Sequence, residues 1–119
     1  MFDVEFYEKA DGSSQVRDFI DDLQEKSATS KDARMRLKKT VTYIDALAQY
    51  GSRVGYPTVK HLVDDIWELR PLDDRILYFF AKGNTYVLLH TFVKKTQQTP
   101  PAEIEQAKRE MKDYLERSK

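Results

Sequence analysis

Residues 66–95, which read IWELRPLDDRILYFFAKGNTYVLLHTFVKK, decide the fold of this chain. Three stretches rich in aromatic and branched residues alternate with two short turn sequences, which is typical of consecutive antiparallel strands. The strands are predicted at 66–70, 75–82 and 85–95, joined by Pro71-Leu72-Asp73-Asp74 and by Gly83-Asn84. The second half of the chain is therefore predicted to be mostly sheet.

The first half predicts one strand followed by two helices. Phe2, Val4 and Phe6 alternate with acidic residues, which indicates a half-buried strand over 2–7. Helical spacing predicts a short acidic helix capped by Ser13 or Ser14, a longer one from Ser30 to Tyr50-Gly51, and a last one opened by Pro100-Pro101. Residues 52–58 are predicted to form a loop. These elements predict an α+β fold with a single domain over 1–119.

Composition excludes several classes of protein. The chain has 119 residues and no cysteine, so disulfides, thiolate metal sites and a cysteine nucleophile are excluded. No apolar run approaches the length of a transmembrane helix, and the acidic N-terminus does not resemble a secretory signal. We therefore expect a cytoplasmic protein that does not contact a membrane.

Charge is balanced overall but uneven along the chain. The 20 basic and 20 acidic residues cancel, so the chain has no net positive charge that would attract nucleic acid. Residues 30–60, however, hold seven basic and two acidic residues. The basic residues of the long helix are Lys31, Arg34, Arg36, Lys38 and Lys39. They form either a solvated helix face or a surface for nucleic acid or an acidic partner.

The two short loops predict which strand residues share a face. They set Arg70 opposite Arg75, Leu77 opposite His90, and Phe79 opposite Leu88. One face is then almost wholly apolar: Trp67, Leu69, Ile76, Tyr78, Phe80, Val87, Leu89, Thr91 and Val93. The opposite face is mixed: Ile66, Glu68, Arg70, Arg75, Leu77, Phe79, Tyr86, Leu88, His90, Phe92 and Lys94.

Two opposed arginines on the mixed face repel each other, which leaves two interpretations. Asp73, Asp74 and Glu68 could neutralise them in a solvated ion cluster. Alternatively, the arginines bind a phosphate, for which their planar forks are suited, and Lys94 adds a point charge.

Three further side chains on or near this face have open roles. His90 is either an acid–base residue or a packing residue opposite Leu77. Glu68 is a base, a salt-bridge partner or, more in keeping with its position, an orienter of arginine. His61 has no predicted partner. Two histidines without cysteine predict no metal site.

At this point a family resemblance appears. The stretches IWELR (66–70), DRILY (74–78), LHTFVKKT (89–96) and TPPAEIEQA (99–107) resemble, in order and spacing, the phage-derived HigB-type branch of the RelE/ParE toxin superfamily. The resemblance implies a RelE-like fold, with a twisted antiparallel sheet, two N-terminal helices packed against it and a C-terminal helix.

The resemblance also implies an activity and a partner. RelE- and HigB-type members are ribosome-dependent ribonucleases that cut mRNA and are neutralised by a cognate antitoxin, often a helix-turn-helix DNA-binding protein. Contact with DNA would then be indirect. The family's functional arginines correspond to Arg70 and Arg75, its basic pair to Lys94 and Lys95, and a variable polar position to His90.

The chemistry of such cleavage suits the mixed face. The 2′-OH of RNA attacks the phosphate, so no metal or other cofactor is expected. Arg70, Arg75 and Lys94 would stabilise the phosphate, and His90 or Glu68 would transfer a proton. The alternatives are a non-enzymatic poison of DNA gyrase, as in ParE, and an inert interaction module whose basic helix binds only its partner.

Overall fold

A five-stranded sheet lies between two helical layers. The computed structural model describes residues 1–119. The elements are β1 (Asp3–Phe6), α1 (Gln15–Lys26), α2 (Lys31–Tyr50), a short 3-10 helix (Gly51–Val54), β2 (Val59–Val63), β3 (Ile66–Leu69), β4 (Asp74–Ala81), β5 (Thr85–Val93) and α3 (Pro101–Arg117). None of the helices combines the length and hydrophobicity that a bilayer crossing requires.

The predicted class is confirmed, with one change in the sheet. The fold is α+β, with two helices near the N-terminus and one at the C-terminus, consistent with a RelE-like fold. The strand order is β1-β5-β4-β3-β2, and β1 runs parallel to β5. The sheet is therefore mixed rather than wholly antiparallel. A parallel pair needs a long connection between its strands, and the chain between β1 and β5, which includes α1 and α2, provides one.

Serine caps begin both N-terminal helices, as the sequence predicts. The Ser14 hydroxyl accepts a hydrogen bond from the Arg17 backbone N–H at 3.2 Å. The Ser30 hydroxyl accepts one from the Ala33 N–H at 3.1 Å. Each cap satisfies a backbone donor that has no partner within the helix.

Gly51 ends α2 for two reasons. Its φ of 69° lies in the left-handed region, which favours glycine. A Cβ there would also lie 2.8 Å from the Tyr86 hydroxyl and 2.9 Å from the Phe2 ring. The close approach lets the Tyr86 hydroxyl accept a hydrogen bond from the Ser52 N–H at 3.0 Å. Gly51 therefore fixes the end of α2 against the sheet.

The sequence did not predict β2. This edge strand pairs antiparallel with β3, and His61 lies opposite Trp67. Its short sequence, VKHLV, follows a proline and carries a lysine and a histidine, so it lacks the apolar alternation of the other strands. Edge strands of this kind tolerate polar residues on both sides.

A bulge in the β4–β5 hairpin changes the predicted faces. Leu77 lies opposite His90 and Arg75 opposite Phe92, as predicted. Beyond a register shift at Leu77/Tyr78, however, Phe79 pairs with Val87 rather than Leu88. The connection therefore has three residues, 82–84, instead of two. One extra residue in β5 moves the side chains between the bulge and the turn to the opposite face from the one predicted.

Both faces of the sheet are covered. Val87 and Leu89 pack with Leu77 and Phe79 on the side of Ala107 in α3, contrary to the predicted assignment. Tyr86 and Leu88 instead join Tyr78, Ile76 and Leu69 in the core beneath α1 and α2. The predicted mixed face is therefore not open, because α3 lies across most of it.

A bidentate ion pair links α2 to the start of β4. Arg36 donates from Nε to Asp74 Oδ2 at 3.1 Å and from Nη2 to Asp74 Oδ1 at 2.8 Å. Asp74 is only 1% exposed. The hydrogen bonds and charge of Asp74 raise the pKa of Arg36. This geometry corrects the predicted role of Asp74 as a counterion for Arg70 and Arg75.

We expect Arg36→Met to lower the free energy of unfolding by about 1–3 kcal/mol, because it leaves a buried carboxylate without its cation. Lys38→Met, on the exposed side of the same helix, is the matched control and should change stability by less than about 0.5 kcal/mol. Urea denaturation measures both. Equal losses in the two variants would contradict the structural role of Arg36.

Candidate functional site

Cationic side chains gather at the end of the sheet where β3 stops and β4 begins. Glu68 and Arg70 come from the end of β3, and Arg75 comes from the start of β4. The segment 94–100, which joins β5 to α3, borders them. The structure therefore brings together four of the five predicted catalytic residues, with Lys94 supplied by that segment.

Arg75 is a buried cation without a paired carboxylate. It is 6% exposed, and its Nη1 donates to the carbonyl oxygens of Leu72 at 2.8 Å and Asp74 at 2.9 Å. Burial lowers the pKa of Arg75, and the positive charge of Arg70 lowers it further. The nearby carboxylates of Asp74 and Glu68 are engaged with other groups. The charges of Glu68, Asp73 and Asp74 raise the pKa again and so offset part of the positive charge, but none of the three forms an ion pair with Arg75. A bound anion would complete the neutralisation.

Glu68 connects Arg70 to the segment before α3. Glu68 is 2% exposed, and its Oε1 accepts a hydrogen bond from the Thr99 hydroxyl at 2.7 Å. Its Oε2 lies 3.3 Å from Arg70 Nε. That contact lacks full hydrogen-bond geometry, so the buried Nε has a counterion but no hydrogen-bond partner. Glu68 thus contacts Arg70 directly, and its role as an orienter of arginine stays a prediction.

Tyr56 is a site residue that the sequence did not single out. Tyr56 as a whole is 72% exposed, and the Arg70 guanidinium lies over its ring at 4.9 Å from the centroid. Donation from Arg70 towards the phenol oxygen, and then its charge, lower the pKa of Tyr56, with smaller contributions from Lys60 and Arg75. Because the guanidinium lies over the ring, the position of Arg70 accounts directly for the effect of its charge on the pKa of Tyr56. A lone exposed tyrosine between Gly55 and Pro57 was the available signal.

Lys94 and Lys95 differ in their surroundings. Lys94 is half-buried and lines a small pocket with Arg75 and residues 96–100. Its backbone N–H donates to the Asp73 carbonyl at 2.8 Å, which fixes the strand end beside the β3–β4 loop. Lys95 is exposed. Lys94 is therefore the lysine that the fold directs towards the arginines.

His90 lies apart from the arginines, beneath α3. It is 1% exposed, and its Nδ1 lies 2.6 Å from Glu110 Oε1 while its Nε2 lies 3.0 Å from Glu103 Oε1. A neutral imidazole donates from only one nitrogen, so two hydrogen bonds to carboxylates require a further shared proton. Both nitrogens are occupied by the protein itself. These contacts favour a role in docking α3 over the predicted proton transfer.

The predicted basic helix divides into two kinds of residue. Arg36 is held by Asp74, so it is not available to a partner. Four others are exposed: Lys31, Arg34, Lys38 and Lys39. Lys38 and Lys39 line a groove with the exposed apolar side chains of Met35 and Leu72. The exposed basic residues therefore border an apolar surface.

His61 does not belong to the cationic cluster. It is exposed, packs edge-on against Trp67 at 5.1 Å, and its Nε2 lies 2.7 Å from the Asp64 carbonyl. Across the molecule, no group of three or more histidine, cysteine, aspartate or glutamate side chains has the arrangement of a metal site.

The fold and this cluster define a class of protein. It is a small α+β protein with a buried guanidinium that forms no ion pair at one end of the sheet, beside an exposed aromatic ring. A family model described as "Phage derived protein Gp49-like (DUF891)" matches residues 18–112. The chain therefore belongs to the Gp49-like family of phage-derived proteins, which is toxin-like. No curated protein matches the chain.

We expect His90→Gln to lower the free energy of unfolding by about 2–4 kcal/mol, because the single amide nitrogen of glutamine cannot take the place of both ring nitrogens, which face Glu110 and Glu103 from opposite sides of the imidazole. His61→Gln is the matched control, since His61 is exposed, and should stay within about 0.5 kcal/mol of the wild type. Thermal and urea denaturation provide the comparison. A His90→Gln protein of unchanged stability would argue against the docking role.

Proposed function

We propose that the protein is the toxin of a type II toxin–antitoxin system, of the HigB-like type within the RelE/ParE superfamily, and that it cleaves mRNA on the ribosome. Membership in the Gp49-like family is compatible with a toxin of this kind. The observation that carries the proposal is the pair Arg70 and Arg75, two adjacent cations without full neutralisation. In this proposal the protein acts in the cytoplasm.

The substrate in this proposal is the phosphodiester backbone. Arg75 has one guanidinium nitrogen on backbone carbonyls, which fixes its plane and leaves the rest of the fork for phosphate oxygens. Arg70 contributes a second guanidinium, and Lys94 a point charge. The three cations would stabilise the extra negative charge of a pentavalent phosphate.

The reaction needs no water as the attacking group. The 2′-oxygen of the RNA forms a bond to phosphorus while the bond from phosphorus to the 5′-oxygen breaks. The proton of the 2′-OH passes to a base, and the 5′-oxygen takes up a proton as it leaves. The products are a 2′,3′-cyclic phosphate and a 5′-hydroxyl. We propose that this route operates without a metal or other cofactor.

Tyr56 and Glu68 are the proton-transfer candidates nearest the arginines. The lowered pKa of Tyr56 raises the fraction of phenolate, which is the form that accepts a proton, and its exposed ring is available to stack on a nucleobase. Glu68 has both oxygens engaged, so we assign it to orienting Arg70. His90, which the sequence suggests as a second candidate, has no part here because α3 buries it.

The partner in this proposal is a cognate antitoxin, which would contact DNA through a helix-turn-helix domain. The exposed lysines of α2 beside Met35 and Leu72 suit an amphipathic segment with acidic residues. Leu72 also supplies a carbonyl to Arg75, so a segment in this groove would lie next to the proposed site.

The second candidate is a non-enzymatic poison of DNA gyrase, as in ParE, and the third is an inert interaction module. The exposed α2 surface would serve either function. The pair formed by buried Arg75 and half-buried Arg70 favours cleavage, because neither a gyrase poison nor an inert module needs a phosphate site at the sheet end.

Arg70→Ala and Arg75→Ala should each reduce mRNA cleavage and growth inhibition by at least about 100-fold. Arg→Lys at either position should also impair cleavage, since a point charge does not replace a fork. The measurement is cleavage of mRNA on ribosomes, with circular dichroism to check folding. Arg109→Ala, which changes an exposed arginine of α3, is the matched control.

The cleavage products test the reaction itself. The upstream fragment should end in a 2′,3′-cyclic phosphate or 3′-phosphate, which end-labelling and phosphatase treatment identify. A 3′-hydroxyl would overturn the proposed route. Intact mRNA together with trapped, cleaved DNA would move the protein to the class of gyrase poisons, and full activity in both alanine variants would remove the phosphate site.

Charge reversal at Lys31, Arg34 and Lys38 should weaken binding of the antitoxin, sought as the product of the adjacent reading frame. The expected loss is larger at low than at moderate salt, because exposed charges are screened. Co-purification and calorimetry measure it. Lys112→Glu, at an exposed position of α3, is the control. If none of the three reversals changes binding, the basic residues of α2 form only a solvated helix face.

A further inference from the structure

We propose that Thr99 is a positioning residue that acts on Arg70 through Glu68. This inference deepens the proposed function, because it concerns how the same site is held in its working arrangement. Thr99 lies at the end of the segment that leads from β5 into α3, far along the chain from Arg70. The carboxylate of Glu68 links the two residues, since it contacts both Thr99 and Arg70.

The first step is the hydrogen bond from Thr99 to Glu68. The Thr99 hydroxyl donates to Glu68 Oε1 at 2.7 Å, a short bond to a charged acceptor. Glu68 is almost completely buried, so its carboxylate has few other donors to choose from. Removal of the hydroxyl would leave Oε1 without this partner and free the carboxylate to rotate.

The second step is the contact from Glu68 to Arg70. With Oε1 held by Thr99, Oε2 is directed at Arg70 Nε, 3.3 Å away. The buried Nε has no hydrogen bond of its own in this geometry. Contacts of this kind are often loose before substrate binds and tighten afterwards. The position of Arg70 therefore depends on which way the Glu68 carboxylate points.

The third step is the effect on the surface of the site. Arg70 lies over the exposed ring of Tyr56 and lowers the pKa of its phenol. Thr99 also borders the small pocket that Arg75 and Lys94 line. One hydroxyl thus links the segment carrying Lys94 to the pair formed by Arg70 and Tyr56.

The test compares Thr99→Val, which removes only the hydroxyl, with Thr99→Ser, which keeps it. Two measurements do not depend on activity: the NMR signal of the Arg70 Nε–H group, and the pKa of Tyr56 followed by NMR of the labelled ring. Thr99→Val should shift the Arg70 signal and raise the pKa of Tyr56 towards its ordinary value. Thr99→Ser should leave both close to the wild type.

Cleavage gives a third measurement. Thr99→Val should reduce it by about 10-fold or more, as expected for one hydrogen bond to a charged group, and Thr99→Ser should restore it. In a double-mutant cycle, Thr99→Val should add little to Glu68→Gln, because both changes act on the same carboxylate. Full additivity would mean that Thr99 acts by another route and would overturn the proposal.

The outcomes for this inference and for the proposed function are separate. An unchanged Arg70 signal and Tyr56 pKa in folded Thr99→Val would overturn the positioning role, whatever the cleavage result. If both measurements shift but the wild type does not cleave mRNA, the positioning of Arg70 is supported and the proposed ribonuclease function fails. Thr99→Ala provides a second variant if Thr99→Val does not fold.

Discussion

The bidentate pair between Arg36 and Asp74 governs how charge is distributed at the end of the sheet. Asp74 adjoins Arg75 in sequence and would otherwise be its natural counterion. Because α2 supplies Arg36, the Asp74 carboxylate is fully engaged on the other side of the sheet. Arg75 is left with two backbone carbonyls as partners. The packing of α2 on the sheet thereby leaves Arg75 without a directly paired carboxylate.

His90 and Arg75 are buried basic side chains on neighbouring strands, but only His90 is paired with carboxylates. α3 supplies His90 with two carboxylates, Glu103 and Glu110, so the histidine is satisfied within the protein. Arg75 lies beyond the start of α3 and receives none. A buried charge that the fold does not pair is costly to stability, and such groups are more often found where a ligand binds. This contrast directs attention to the arginines.

The segment before α3 links these two environments. It begins after β5, carries Lys94, reaches Glu68 through Thr99, and ends where Pro101 opens α3. Its two ends are therefore fixed by the sheet and by the helix that holds His90. The segment therefore connects the start of α3 to Glu68 through one hydrogen bond.

The sequence alone determined the α+β class, the serine caps of α1 and α2, the pairing of Leu77 with His90, and the nearness of Arg70 to Arg75. These follow from local periodicity, capping chemistry and short loops, which depend on neighbouring residues. Only the tertiary structure decided the rest. The bulge in β5, strand β2, the ion pair of Arg36 with Asp74, the carboxylates around His90 and the position of Tyr56 all come from contacts between distant parts of the chain. No local pattern encodes such contacts, because they depend on how α2, α3 and the loop before β2 pack on the sheet.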